Sequence, residues 1–242
     1  MARRPEPDRN GRNLMKPDPL SAAQLIERLR EMANPENAAG MARFGINPAN
    51  TLGVSMPQLR ALARGQRNHQ TAQELWASGI HEARILAALL DDPALLTEAQ
   101  METWVQDFDS WDVCDQVCMN LFDRSPLAFT KASEWAGREA EFVRRAGFAL
   151  MACLAWHDKR SPDQRFLEFL PVIRHESTDR RNFVKKAVNW ALRQIGKRNA
   201  VLNQAAIAAA REIQAIESPA ARWIAADALR ELENLPAEKF KH

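Results

Sequence analysis

The segment DSWDVCDQVC, residues 109–118, places an indole and two acids at the start of a predicted helix. At 100° per residue, Trp111 and Asp115 lie one turn and about 40° apart, on a flank of the apolar stripe. The pair is either a working site or ordinary helix decoration, in which Asp115 forms a salt bridge to a neighbouring helix. Asp112 is explained most simply by compensation of the helix dipole. The predicted buried stripe consists of Val113, Cys114, Val117 and Leu121.

Two adjacent arginines occur near the start of another predicted helix, in EFVRRAGFALMACLAW. Arg145 lies on the border of the predicted buried stripe and could reach a shared groove. Arg144 points nearly away from that stripe, towards solvent or a phosphate. Both can equally be ordinary surface arginines. The buried stripe of this helix is predicted at Phe142, Ala146, Ala149, Leu150 and Cys153.

A strongly basic helix is predicted over residues 180–198, which hold seven basic residues and no acid. Val184, Val188, Ala191 and Ile195 fall on one side and should be buried. The nearly opposite side carries Lys186, Trp190, Arg193 and Lys197. A tryptophan framed by cations is typical of a nucleic-acid surface, unless a further packed layer covers it. By contrast, we predict core positions for Trp104, Trp135 and Trp223.

The formal charge of +2 is unevenly distributed along the 242 residues. Residues 138–200 hold 14 basic and 7 acidic residues, whereas residues 19–137 hold 9 basic and 15 acidic ones. A basic block in a near-neutral protein indicates either a localised surface for a polyanion or a solvated face with no partner.

Other chemistries have little support in the sequence. The five histidines have no metal-ligand spacing, and no nearby Cys or His completes a site with Cys114 and Cys118. There is no Walker loop, dinucleotide fingerprint or GxSxG elbow, so we expect neither metal nor cofactor. Three cysteines favour a reducing cytosol. No apolar run reaches the roughly 18 residues of a membrane span, and no apolar stretch follows the first arginines to form a signal peptide.

The elements that must position these residues are helices. About a dozen short helical segments follow residue 18, one of them over residues 163–175, with breaks at prolines and glycines. Ser21, Ser55, and Ser110 or Asp109 are expected N-caps. We predict an all-α fold, an α-solenoid of HEAT-like antiparallel helix pairs with a concave basic cleft. Residues 1–18 are predicted to be a disordered tail and residues 19–242 a single domain.

Four short segments of the sequence resemble the motifs of a known protein family. With LGVSMPQLRALAR, SWDVCD, FVRRAG and FVKKAVNWALRQIGK in this order, the chain resembles the AlkD-like DNA alkylation repair family of HEAT-like-repeat alkylpurine DNA glycosylases. WDVCD matches the Trp-Asp-x-x-Asp pattern of that family, and KKAVNWALR matches its Lys-Ala-x-x-Trp-x-Leu-Arg pattern. The resemblance implies that Trp111 and Trp190 contact the lesion nucleotide and that Asp115 is the catalytic carboxylate between them. It places Arg145 in the same cleft.

The implied reaction is excision of cationic N3- or N7-alkylated purines from duplex DNA in base excision repair, without base flipping. Departure of the base neutralises its charge, so no general acid is needed. Asp115 would stabilise the positive charge that develops on the sugar, and the indoles of Trp111 and Trp190 would add cation–π stabilisation. The predicted DNA contacts are Lys185, Lys186, Arg193, Lys197, Arg198 and Arg144.

Two other functions remain open from the sequence. One is a non-catalytic HEAT-repeat protein that recognises distorted or branched DNA. The other is a scaffold that binds another protein, with the basic face merely solvated. For the leading function we expect double-stranded DNA with alkylated bases as the partner, a monomer, and a cytoplasmic, nucleoid-associated location.

Overall fold

The computed structural model describes residues 19–240, so the predicted tail over residues 1–18 lies outside the described residues. All regular structure in the described part is helical. The α-helices are α1 (Ala22–Glu31), α2 (Pro35–Ala42), α3 (Met56–Ala63), α4 (His69–Ala77), α5 (His81–Leu90), α6 (Glu98–Gln106), α7 (Trp111–Asn120), α8 (Ala128–Ala136), α9 (Glu141–His157), α10 (Asp163–Leu167), α11 (Phe169–Glu176), α12 (Asn182–Gly196), α13 (Ala200–Gln214) and α14 (Pro219–Leu232). Two short 3-10 helices cover Phe122–Arg124 and Ala237–Phe240.

The helices form two layers. In the first layer, α3, α5, α7, α9, α12 and α14 follow one another, each packed against the next. The second layer contains α1, α4, α6, α8, α11 and α13, which pack against first-layer helices, and α10, which packs against α11 and α13. Such stacking of helix pairs is the architecture of an α-solenoid, as predicted. The helix α9 lies at the centre of the stack, in contact with α7, α8 and α12.

The apolar periodicity of the sequence correctly predicted the buried sides. Every stripe residue predicted on α7 and α12 is buried, and one continuous core extends from Ala22 to Leu232. Trp104 and Trp135 belong to this core, as predicted, and Trp104 stacks on Trp76 with 4.0 Å between the ring centroids. No helix in residues 19–240 combines the length and apolarity needed to cross a membrane.

Local sequence signals explain several helix starts. Ser21 and Ser55 each form a capping box with a glutamine three residues later, as expected for N-caps. Two details differ from the prediction. The helix α2 was missed, although Asn34 caps it and Pro35 occupies its first turn. Residues 163–175, predicted as one helix, form the two helices α10 and α11.

Candidate functional site

A carboxylate and a guanidinium pair where α7 packs against α9. Arg145 Nε donates to Asp115 Oδ1 at 3.0 Å, and Arg145 Nη2 donates to Oδ2 at 2.7 Å. The third donor, Nη1, binds the carbonyl oxygen of Phe183 at 2.6 Å, at the start of α12. Arg145 is buried, whereas the Asp115 side chain keeps 14% of its surface exposed. The arginine therefore ties three consecutive first-layer helices together and fixes the carboxylate at their surface.

Burial and pairing act in opposite directions on this carboxylate. Burial raises the pKa of Asp115 above its ordinary value, and the charge and hydrogen bonds of Arg145 partly offset that rise. The salt bridge weighed as the alternative for Asp115 is thus present. The Asp115 carboxylate can still accept further hydrogen bonds, because its two oxygens offer about four acceptor positions and Arg145 uses two of them.

Trp111 lies beside this pair and anchors a loop. Its ring centre is 5.9 Å from the Arg145 guanidinium, and its Nε1–H donates to the carbonyl oxygen of Phe44 at 3.1 Å. Asn47 Nδ2 donates to Asp109 Oδ2 at 2.8 Å, which fixes the same loop to the start of α7. The loop between α2 and α3 therefore reaches across to the candidate site, with the Phe44 side chain largely exposed.

The close approach of this loop needs a glycine. Gly45 has a φ of +76°, and a Cβ at this position would collide with the Phe183 ring. Phe183 in turn stacks on Phe142 of α9 at 5.7 Å. The loop thus contacts Trp111 of α7 and Phe183 of α12, on either side of Arg145, and no periodic pattern in the sequence predicts these contacts.

Asp112 has a tertiary partner in addition to its place near the helix dipole. Its Oδ2 lies 2.8 Å from Nε2 of His81, a residue of α5 that is almost completely buried. Burial by itself would lower the pKa of His81, but the hydrogen bond and charge of Asp112 outweigh it and raise that pKa. Ser110 precedes the helix as its N-cap residue without a side-chain capping bond, so this pair is the stronger constraint on the start of α7.

The His81–Asp112 pair predicts how folding stability depends on pH. Because the pKa of His81 is raised in the folded protein, its contribution is fully present below about pH 6.5, the ordinary histidine value, and is lost as pH rises through the folded value. Urea unfolding between pH 5 and pH 9 should show the wild type losing more stability with rising pH than His81→Gln. Identical pH profiles would contradict this assignment.

Trp190 lies further along α12 than Phe183, the residue whose carbonyl oxygen accepts a hydrogen bond from Arg145. It is partly buried on α12, seven residues after Phe183, which corresponds to about 10 Å along the helix. It lines a pocket of about 400 Å³ together with Trp156 and Lys159 from the end of α9. The structure therefore brings Trp111, Asp115 and Arg145 together, and it places Trp190 on α12, about two turns from the Phe183 carbonyl oxygen that Arg145 binds.

The predicted basic side of α12 is only partly exposed, and two of its cations pair with an acid of α14. Arg193 Nη1 lies 2.7 Å from Glu231, and Lys197 Nζ lies 2.8 Å from the same carboxylate. Lys185 Nζ lies 4.7 Å from the ring centre of Trp223. Lys186 is exposed and makes no ion pair within residues 19–240. Of these four predicted DNA contacts, Lys186 is the most available to a phosphate.

Two predicted DNA-binding arginines have structural partners instead. The Arg198 side chain is buried, and it donates to the carbonyl oxygen of Ala155 in the last turn of α9 and to those of Asp158 and Ser161 in the following loop. The last carbonyls of a helix have no partner within the helix, so these bonds explain the burial of the charge. Arg144 pairs with Glu176 and Asp179, so its charge is neutralised.

The core prediction for Trp223 is wrong. Its side chain is 40% exposed, because α14 ends the first layer in the described chain and packs mainly against α12 and α13. Sequence reasoning also missed Trp156, which is 50% exposed. The signal that could have found Trp156 is its position next to the polar segment HDKR, residues 157–160.

The cysteines and histidines supply no second chemistry at this site. Cys114, Cys118 and Cys153 are buried free thiols, and burial raises the pKa of Cys118 and Cys153 well above the ordinary thiol value. Within residues 19–240, no group of three or more His, Cys, Asp or Glu side chains could hold a metal ion.

Comparison with known proteins identifies the family. The model of the DNA alkylation repair enzyme family matches residues 25–232. A solved structure from a new family of proteins related to the HEAT-like repeat DNA glycosylases, with affinity for branched DNA structures, is similar with a TM-score of 0.72 and 18% identity. This similarity covers 87% of this chain and 95% of that one, and at such identity it shows the HEAT-like fold. No curated protein sequence matches the chain. From the family match over most of its length, the chain belongs to the DNA alkylation repair enzyme family.

Proposed function

We propose that this protein is a DNA glycosylase that excises cationic N3- or N7-alkylated purines from duplex DNA. The observation that carries the proposal is the Asp115 carboxylate, held by Arg145 beside the indole of Trp111 and still partly exposed. A fixed, partly desolvated negative charge is the group that such a reaction requires.

The chemistry places few demands on the protein. When the glycosidic bond breaks, its electron pair goes to the purine nitrogen and neutralises the alkylated base, so the base needs no proton. Positive charge develops on the deoxyribose, where Asp115 would stabilise it and orient the attacking water. The hydroxide of that water bonds to the anomeric carbon, and its proton goes to solvent or to the carboxylate. Trp111 offers an indole face to the same cation.

The deciding experiment is base release. Purified protein is incubated with duplex DNA that carries 7-methylguanine or 3-methyladenine, and free base is measured by chromatography. We expect release above the spontaneous rate for at least one of these lesions. A wild-type protein that binds the duplex but releases neither base would reject the enzyme proposal for these substrates.

The second candidate is DNA binding without base excision, directed at branched or distorted DNA. It is favoured by the ion pair in which Arg145 binds both oxygens of Asp115, because this partner already offsets the negative charge that a sugar cation would need. The solved relative with affinity for branched DNA has the same fold. Binding that weakens steeply with added salt, in the absence of base release, would support this candidate.

A further inference from the structure

Trp156 forms an aromatic pocket that the proposed excision chemistry does not use. It lies in the last turn of α9 with half of its surface exposed, which is unusual for so large an apolar side chain. Together with Trp190, Lys159, Gln194 and Lys197, it lines a pocket of about 400 Å³. This volume is within the range of small-molecule sites, and two indoles with two ammonium groups form its walls.

The walls of this pocket are held in place. The His157 ring stacks on the Trp156 ring with 4.8 Å between their centroids, and His157 is itself bound through Nδ1 to the buried carboxylate of Asp123. Arg198 links the start of the loop after α9 to the end of α12, and therefore joins the two elements that carry Trp156 and Trp190. The stacked His157 ring holds the exposed Trp156 indole in place, so ligand binding does not need to order this side chain.

The composition of the walls indicates the ligand. An indole binds the face of a flat aromatic ring, and an ammonium group binds phosphate. Lys159 is exposed and makes no ion pair within the described residues, while Lys197 keeps part of its ammonium available beside Glu231. A ligand with an aromatic ring and a phosphate matches both features, and a nucleotide has both.

The indoles of the pocket can stack only on an accessible base face, which favours an unpaired nucleotide over a paired one. Bases inside a duplex are stacked and present only their edges in the grooves, so an indole in a pocket cannot reach a base face there. Trp156 lies eleven residues after Arg145 on the same helix, about 16 Å along its axis, so the Trp156 wall of the pocket is remote from the Arg145–Asp115 pair.

We propose that the Trp156–Trp190 pocket binds an unpaired nucleotide of DNA, in a branch or gap that adjoins the duplex held near Asp115. The proposal rests on the DNA binding assumed in the proposed function, but it does not need base excision. It gives the protein a second point of contact, specific for strand junctions rather than for sequence or for an alkylated base.

The test compares two DNAs that differ only in an unpaired arm. Fluorescence anisotropy measures the Kd for a flush duplex and for the same duplex with a short unpaired thymidine arm, at one salt concentration. The wild type should bind the armed duplex about tenfold more tightly, because one base of the arm can stack on an indole. Trp156→Ala should remove most of this preference, and Trp156→Phe, which keeps an aromatic face, should restore much of it.

Two further variants separate the contributions. Trp223→Ala removes a similarly exposed tryptophan outside the pocket, so the ratio of the two Kd values should stay as in the wild type. Lys159→Ala should weaken binding of the armed duplex and lower the slope of log Kd against log salt by about one for that DNA. Circular dichroism confirms that each variant is folded.

Two outcomes would overturn the proposal. One is a wild type that binds both DNAs equally, and the other is a Trp156→Ala variant that weakens both by the same factor. The base-release assay uses only flush alkylated duplex, so the two proposals can fail separately. Preference for the arm without base release would reject the glycosylase and keep the pocket, and base release without preference for the arm would do the reverse.

Discussion

Asp115→Asn should release alkylated purines about 100- to 1000-fold more slowly than the wild type, the range found when one preorganised electrostatic group is removed from an active site. Asparagine keeps the shape of the side chain and one acceptor for Arg145, but it removes the negative charge that would face the sugar cation. Single-turnover release of 7-methylguanine from duplex DNA, with enzyme in excess, measures the effect on the chemical step.

A charge-matched control accompanies this variant. Asp109→Asn removes a carboxylate from the same helix start, where the side chain is exposed and bound to Asn47 rather than to Arg145. Both variants lose one negative charge and should gain the same non-specific affinity for DNA. Asp109→Asn should therefore keep base release within a few-fold of the wild type. If Asp115→Asn releases base as fast as this control, Asp115 has no catalytic role.

Arg145→Met should lower the free energy of unfolding by about 3–5 kcal/mol, the usual cost of removing one partner of a buried ion pair. The variant leaves the Asp115 carboxylate without a cation and the carbonyl oxygen of Phe183 without its donor. Urea unfolding followed by circular dichroism measures the loss. Because the pair links α7, α9 and α12, the whole first layer should be affected.

Two comparisons show whether the loss of stability in Arg145→Met comes from the buried ion pair with Asp115. Asp115→Asn combined with Arg145→Met removes both charges and should be less destabilised than Arg145→Met alone. Arg138→Met breaks the pair with Glu102, which is far more exposed, and should cost no more than about 1 kcal/mol. If Arg145→Met is as mild as Arg138→Met, the buried pair does not stabilise the fold.

Most of the helical architecture could be predicted from the sequence, because helix phase is a local property. Apolar spacing on α7 and α12 correctly gave the buried sides, and serine followed by glutamine three residues later gave two helix starts. The same phase predicted Trp111 next to Asp115 and Trp190 on the side opposite the core, whereas in the structure Trp190 is partly buried against the core. The helix α2 was not predicted, because none of its eight residues is buried and its sequence therefore has no apolar stripe.

The partners of the charged residues could not be predicted, because they lie 30 to 38 residues away in the chain. Asp115 and Arg145 are 30 residues apart, and Arg193 and Glu231 are 38 apart. Helix phase states which way a side chain points, but it contains no information about the acid that a neighbouring helix brings opposite to it. The net charge of a segment therefore overstated the basic surface of α12.

The sequence by itself determined the class of fold, the sides of the helices and the residues of the candidate site, because these depend on periodicity and short motifs. Only the tertiary structure decided which of those residues meet. The stacking of α7, α9 and α12 joined Asp115 to Arg145, brought the Phe44 loop to Trp111, and gave Trp190 the neighbour Trp156. The physical reason is that the relative position of stacked helices is set by side-chain packing across many residues, which no single helix encodes.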